Sequence, residues 1–147
     1  CGSLATLTAI REVTALDEYR RAVIDLNIVL EMLSQDEYNA VRDSETSDDD
    51  CRSIATVCRH MVKSGYTYVN YFNTINSGEW LEYEQQPESP QKAILEINRM
   101  LDHTQAVLSG IWNHSREEIE SWSFDTRWNV TFDAEQLLEH AIVHILR

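Results

Sequence analysis

Hydrophobic side chains recur at three- and four-residue steps in four stretches of the chain. The first stretch runs from Glu12 to about Ser34, and its apolar positions are Leu16, Tyr19, Val23, Leu26, Leu30 and Leu33. This spacing places the apolar side chains on one face of a helix. A second helix is predicted from about Cys51 to Ile75 and a third from Ser89 to about Trp112. The last begins after Asp133, and its pattern is still helical at Arg147.

Capping residues mark where these helices begin. The acidic run from Ser44 to Asp50 precedes the second helix and would complement its positive end. Ser89-Pro90 opens the third helix, and Asp133 with Gln136 forms a capping box for the last. Between them, residues Asn113 to Phe132 alternate aromatic and polar side chains, which predicts an extended connection. Such a connection either completes the core or forms a lid over a site.

Four amphipathic helices of this length predict an all-α protein built as a four-helix bundle. The 147 residues suffice for one hydrophobic core, so we expect a single domain over residues 1–147. Four Gly and two Pro are few for a β-sandwich or barrel. No apolar run approaches the ~18 to 20 residues that a membrane span needs, so no membrane span is expected.

The charge balance excludes one class of partner. Twelve Lys and Arg against 25 Asp and Glu give a formal net charge of -13. Nucleic-acid binding depends on cations that neutralise phosphates, so no nucleic-acid partner is expected. Cys51 and Cys58 would lie about two helical turns apart, beyond disulfide reach, which favours a cytoplasmic protein. The alternative is a chain that is lipid-anchored through Cys1 after removal of a signal peptide.

The five histidines are the main candidates for chemistry. His140 and His144 lie one turn apart on the last predicted helix, and His60 lies on the shoulder of the second helix. Three imidazoles meeting at one cleft, with a coordination position left open, would suit a catalytic divalent metal ion. The alternative is that these histidines face solvent or an interface. His103 and His114 are expected on the surface.

Spacing excludes three other chemistries. The chain lacks the Glu-x-x-His pairs of a ferritin-like di-iron bundle and the His-Glu-x-x-His of a zincin. Cys58 and His60 would point about 200° apart on one helix, so they cannot form a nucleophile and base pair. Cys58 is therefore expected in the core.

Two motifs resemble those of a known family. The second helix carries Cys51-Arg-Ser-Ile-Ala-Thr-Val-Cys-Arg-His60-Met-Val, which resembles the second-helix motif of the DinB/YfiT-like family. The chain ends in Leu138-Glu-His140-Ala-Ile-Val-His144-Ile-Leu-Arg147, which resembles the closing motif of that family. The resemblance implies an up-down-down-up four-helix bundle with a long connection before the last helix. It also implies that His60, His140 and His144 are ligands of one divalent metal ion.

The resemblance implies a function as well. It suggests a metal-dependent enzyme that acts on a small-molecule substrate, as an S-transferase with a low-molecular-weight thiol co-substrate and small electrophiles. A metal-water hydrolase and a non-catalytic metal- or ligand-binding bundle are the alternatives. Three imidazoles favour zinc or nickel, with iron as a further candidate. No residue is assigned as the general base.

A chain at -13 repels anionic thiols unless cations near the cleft offset its field. We therefore expect Arg127 on the aromatic connection, or Arg147 beside His144, to contact such a thiol in a cleft next to Tyr71. Arg59 and Lys63 flank His60 in sequence but are expected to face solvent.

Apolar residues outside the main stripes predict a homodimer. Val143 points away from the apolar face of the last helix, and Trp80, Trp112 and Trp122 add aromatic surface near helix ends. A small monomer seldom exposes so much apolar surface without a use.

Overall fold

The computed structural model describes residues 4–83, 86–111 and 113–146. Within these ranges the α-helices are α1 (Leu4–Glu31), α2 (Gln35–Asn39), α3 (Ile54–Asn76), α4 (Pro90–Ile111), α5 (Arg116–Ser121) and α6 (Ala134–Leu146). A short antiparallel hairpin pairs β1 (Phe124–Asp125) with β2 (Thr131–Phe132). The predicted all-α class with four long helices is confirmed. No helix in the described ranges has both the length and the apolar character of a membrane span.

The start of α3 differs from the prediction because a different residue caps it. Ser53 Oγ accepts a hydrogen bond from the backbone N–H of Thr56, and Thr56 Oγ1 accepts one from the N–H of Ser53. This reciprocal capping box starts the helix at Ile54. The end of the acidic run forms instead a 3-10 turn at Asp49–Cys51 that leads into the helix.

The caps of α4 and α6 agree with the prediction. Ser89 Oγ accepts from the backbone N–H of Lys92, one turn into α4. Asp133 Oδ1 accepts from the N–H of Gln136, whose side chain accepts in return from the N–H of Asp133. The first helix α1, in contrast, begins at Leu4, well before the predicted Glu12.

The long connection before α6 is only partly extended. Ser115 caps the short helix α5 through a further reciprocal box with Glu118, which the alternating pattern did not indicate. The alternation is correct from Phe124 onward, where the hairpin forms. Asn129 has a positive φ of 58° in the turn of this hairpin, a conformation that asparagine tolerates well.

The long helices pack in a closed cycle of neighbours. Both α1 and α3 pack against α4 and against α6. One cluster of buried side chains includes Leu30, Tyr38, Val62, Ile97 and Met100, and a second includes Phe72, Leu108, Phe124 and Leu137. Because Phe124 belongs to the second cluster, the base of the hairpin completes the core.

The closest approach of α3 to α4 lies at Gly65. A Cβ atom built on Gly65 would overlap Met100 Sδ and lie 2.8 Å from Met100 Cγ. Met100 is fully buried, and its sulfur accepts a hydrogen bond of 3.2 Å from the Tyr19 hydroxyl. The methionine therefore has little room to move away, and the site requires glycine.

We predict that Gly65→Ala destabilises the fold even though alanine favours helices. Overpacking costs about 1–3 kcal/mol, which exceeds the gain of about 1 kcal/mol from replacing a helical glycine. The free energy of unfolding, measured in urea, should fall by roughly 1 kcal/mol as the difference of those two effects. In a Met100→Ala background the same substitution should be neutral or stabilising. An equal loss in both backgrounds would contradict this contact as the cause.

Candidate functional site

The packing of α6 against α3 brings His60, His140 and His144 to one pocket. The ring centroid of His144 lies 5.4 Å from that of His60 and 5.4 Å from that of His140. The pocket has a volume of about 600 Å³, within the range of small-molecule sites. The structure thus gathers the three histidines, and their role as ligands stays a prediction.

The His60 ring is held by a carboxylate from outside its own helix. Asp50, in the turn before α3, places Oδ2 2.7 Å from Nδ1 of His60. This contact favours the tautomer in which Nδ1 carries the proton and Nε2 keeps its lone pair. Ser64 Oγ lies 3.3 Å from that Nε2, one helical turn further along α3. The ring is therefore oriented from both of its nitrogens.

Tyr68 connects α3 to α6 and to the hairpin. Its side chain is only 2% exposed, and its hydroxyl oxygen lies 3.0 Å from Nε2 of His144. The ring centroid of Tyr68 lies 5.2 Å from His144, 5.4 Å from His140 and 5.6 Å from Trp128. Burial raises the pKa of the Tyr68 phenol, so the hydroxyl stays protonated at neutral pH. It can support the histidines but cannot act as a base.

The donor set suits a divalent metal ion. Two imidazoles on one tetrahedral zinc would have ring centroids about 5 Å apart, given Zn–N bonds of about 2.0–2.1 Å. The spacing of 5.4 Å between neighbouring rings is close to that value. A carboxylate bound to the second nitrogen, as in Asp50 with His60, is the common partner of a ligating histidine. Within the described ranges, however, no group of three or more His, Cys, Asp or Glu side chains is placed so that it could hold a metal ion, and metal binding by the three histidines stays a prediction.

The tip of the hairpin reaches the pocket. Arg127 and Trp128 line it, and the Arg127 guanidinium lies 5.0 Å from the centroid of the Trp128 ring. The base of the connection fills the core, which is one of the two predicted alternatives, and its tip lines the pocket. That the tip acts as a lid stays a prediction. Tyr71 supports this arrangement, because its hydroxyl accepts a 3.2 Å hydrogen bond from the Arg127 backbone N–H. Tyr71 itself is not among the described residues that line the pocket, and Tyr68 takes that position.

Arg59 and Lys63 flank His60 on α3, and the sequence predicts that both face solvent. Lys63 is exposed, as predicted, and Arg59 is half-buried, yet both also line the pocket with His60. A long charged side chain can do both, because its stem lies along a wall while its charged end reaches water. Arg147, the other cation predicted at the site, lies outside the described residues.

The thiol of this region is not available as a nucleophile. Cys58 is 1% exposed, and burial raises its pKa to about 11. A thiolate is the reactive form of cysteine, so almost none is present at neutral pH. This confirms the core position predicted for Cys58. Tyr83, which lines the pocket, has a pKa raised to about 12, chiefly by burial.

The remaining histidines are less exposed than predicted. His103 on α4 is half-buried against the ring of Tyr66, at a centroid distance of 5.6 Å, and burial lowers its pKa. His114 packs against Trp122 at 5.1 Å. Neither is among the described residues that line the pocket of the three histidines.

Sequence reasoning missed Asp50, Tyr68 and Trp128. Asp50 was interpreted only as part of a helix-capping run, and nothing in the sequence connects it to a residue ten positions later. Tyr68 had a usable signal, since His60, Ser64 and Tyr68 follow one another at four-residue steps along α3. Trp128 belongs to the alternating connection, whose tip could not be assigned to the site without the fold.

The chain matches the model of a known protein family. The model of the DinB family matches residues 8–147 of this chain. No curated protein matches it. The family match includes both segments that hold the histidines of the pocket.

Proposed function

Because this chain belongs to the DinB family, we propose that it is a metal-dependent enzyme whose His60, His140 and His144 hold one divalent ion. The observation that carries this proposal is the convergence of three imidazoles, from α3 and α6, on one pocket. Imidazole ligands favour zinc or nickel, and iron is a further candidate.

The fold proposed for this function is an up-down-down-up four-helix bundle formed by α1, α3, α4 and α6. The packing of α1 and α3 against both α4 and α6 supports this arrangement. The long connection between α4 and α6 contains α5 and the hairpin. In such a bundle the site lies between α3 and α6, with the hairpin tip at its mouth.

Each residue around the histidines has a distinct part in the proposed site. Asp50 would accept a hydrogen bond from the Nδ1–H of His60 and so orient this ligand. Tyr68 supports His144 through its protonated hydroxyl. Trp128 stacks on Tyr68 and limits the access of water to that side of the pocket. When bound, the ion would supply positive charge that lowers the pKa of a thiol or water nucleophile.

The proposed nucleophile is a low-molecular-weight thiol that enters as co-substrate. The buried, protonated Cys58 does not provide one, which supports a thiol from outside the chain. In the proposed S-transfer the thiol loses its proton to solvent and its sulfur forms a bond to an electrophilic carbon. The leaving group departs from that carbon with its electron pair. Arg127 would hold an anionic group of the thiol, as would Arg147, and Tyr71 would keep the Arg127 backbone in place.

We predict one divalent ion per chain in protein purified without a histidine tag. The double variant His60→Ala, His140→Ala should lose this ion, because a single imidazole cannot hold it. Metal content is measured by elemental mass spectrometry after dialysis. The double variant His103→Ala, His114→Ala is the matched control, and it should retain the metal. Unchanged stoichiometry in the His60→Ala, His140→Ala protein would disprove the site.

The same measurement tests Asp50. Loss of an outer-shell partner typically weakens metal binding about 10- to 100-fold, so Asp50→Asn should keep the stoichiometry but lose affinity to that extent. Asp49→Asn removes one charge from the neighbouring residue and should change affinity little. Equal effects of the two variants would mean that Asp50 contributes only its charge to the local field.

We predict that a thiol stabilises the metal-loaded protein more than the chelator-treated protein. A ligand that binds the folded state raises the melting temperature through RT ln(1 + [L]/Kd). Glutathione, bacillithiol, coenzyme A and cysteine are the probes, each compared with its S-methyl derivative. The derivative cannot present a thiolate and should give the same shift with and without metal. If no thiol shows a metal-dependent shift, a hydrolase or a non-catalytic bundle becomes the better proposal.

We further propose that the chain forms a homodimer. Large apolar side chains exposed near the end of α1 support this proposal. Ile24 and Ile28 on the helix, and Met32 just after it, follow at four-residue steps and are 58%, 52% and 72% exposed. Val143 and Trp80 are exposed as well, whereas Trp122 is partly buried and Trp112 lies outside the described residues.

Sedimentation velocity at micromolar concentration should show a dimer. The variant Ile24→Lys, Ile28→Lys should be a monomer, because two charges at this surface would have to be buried on association. Val57→Lys changes an exposed apolar residue on α3 and should leave the dimer intact. A wild-type chain that sediments only as a monomer would disprove the proposal.

A further inference from the structure

Three cationic side chains share the pocket with the histidines. Arg59 and Lys63 lie one turn apart on α3, and Arg127 lies in the turn of the hairpin. The positive side chains therefore approach the pocket from two separate elements. Lys and Arg are the side chains that ordinarily carry a positive charge at neutral pH, so this set gives the cationic side chains of the described pocket lining.

These cations lack the acidic partners that most others in the chain have. The structure describes ten of the twelve Lys and Arg side chains. Six of them form ion pairs with Asp or Glu, namely Arg20, Arg21, Arg52, Lys92, Arg99 and Arg116. Arg59, Lys63 and Arg127 form none with any described residue. In a chain with 25 acidic residues, this concentration of unpaired cations at one concave surface needs an explanation.

The contacts of the three cations leave their charge available. Arg59 donates to the neutral side-chain amide of Gln86 at 3.2 Å, and Arg127 lies over the Trp128 ring. Asp50 is the acidic residue among the described pocket-lining side chains, and its carboxylate is bound to His60. At neutral pH the described lining thus carries three positive side chains against one carboxylate that already has a partner.

The location of these charges points to a ligand rather than to folding. Surface ion pairs contribute little to stability, so leaving cations unpaired at the rim has a small cost. A positive pocket in a strongly negative chain, by contrast, is what attracts an anion against the overall field. The aromatic walls formed by Tyr68, Tyr83 and Trp128 lower the local screening by water.

We propose that the pocket binds a small molecule through an oxyanion group, a carboxylate or a phosphate, held by Arg59, Lys63 and Arg127. This deepens the proposed function by naming the class of ligand, but it does not require the metal ion. Arg59 presents a planar fork that matches two oxygens of such a group, and Lys63 adds a point charge one turn away. The reacting part of the molecule would then lie on the histidine side of the pocket.

The test compares charged and neutral probes on the full-length chain. Succinate, its neutral analogue succinamide and inorganic phosphate are each titrated into the protein by calorimetry. Sodium chloride is added so that all titrations have the same ionic strength. Each titration is made on metal-loaded and on chelator-treated protein. Binding of succinate or phosphate, but not of succinamide, to both forms is expected. The tighter of the two anions identifies the group that the pocket prefers.

Charge-removing variants locate the site. The double variant Arg59→Gln, Lys63→Gln should lower the affinity for the anion about 10- to 100-fold, the usual loss for removing charged hydrogen bonds. Arg42→Gln with Lys92→Gln lowers the net charge equally at other surfaces and should leave affinity unchanged. Equal losses in the two double variants, or equal binding of succinate and succinamide, would overturn the proposal. Metal content is measured on the same proteins. A variant that loses anion binding but keeps its metal would show that the anion site and the metal site can fail separately.

Discussion

The buried ring of Tyr68 is the contact on which the geometry of the site depends. It lies on α3, while the rings around it come from the hairpin and from α6, up to 76 residues later in the chain. Because the ring is almost fully buried, moving any of its neighbours would open a gap beside it. The positions of His140, His144 and Trp128 are therefore coupled through one side chain.

Two kinds of polar group line the site along α3. Asp50, in the turn before the helix, lies within hydrogen-bond distance of His60. Arg59 and Lys63, on the helix itself, carry charge without an acidic partner among the described residues. A single pocket thus offers neutral nitrogen donors, which suit a metal cation, next to fixed cations, which suit an anion. A substrate that bridges the two regions would be oriented by both.

Much of the fold and part of the site could be predicted from the sequence, and the features that were not predicted have physical causes. Long amphipathic stripes and the caps at Ser89 and Asp133 determine helices locally, so α4 and α6 were placed well. The short helix α5 depends on a capping box at Ser115 with little apolar pattern to reveal it. Contacts such as that of Asp50 with His60 depend on how a turn folds back on a helix, which no local pattern encodes. A helical wheel likewise gives the direction of a side chain but not its reach, so it could not show that Arg59 and Lys63 line the pocket.

The hairpin links access to the pocket with the stability of the fold. Its base is held in the core by Phe124, and its turn is fixed by a bond from the Thr126 N–H to the Val130 carbonyl. Its tip presents Arg127 and Trp128 to the pocket, with the Arg127 backbone bonded to Tyr71 on α3. A ligand that contacts Arg127 would thus be bound by an element whose position the core already determines. Binding would then cost little conformational entropy in the hairpin, because most of that entropy is already lost when the chain folds.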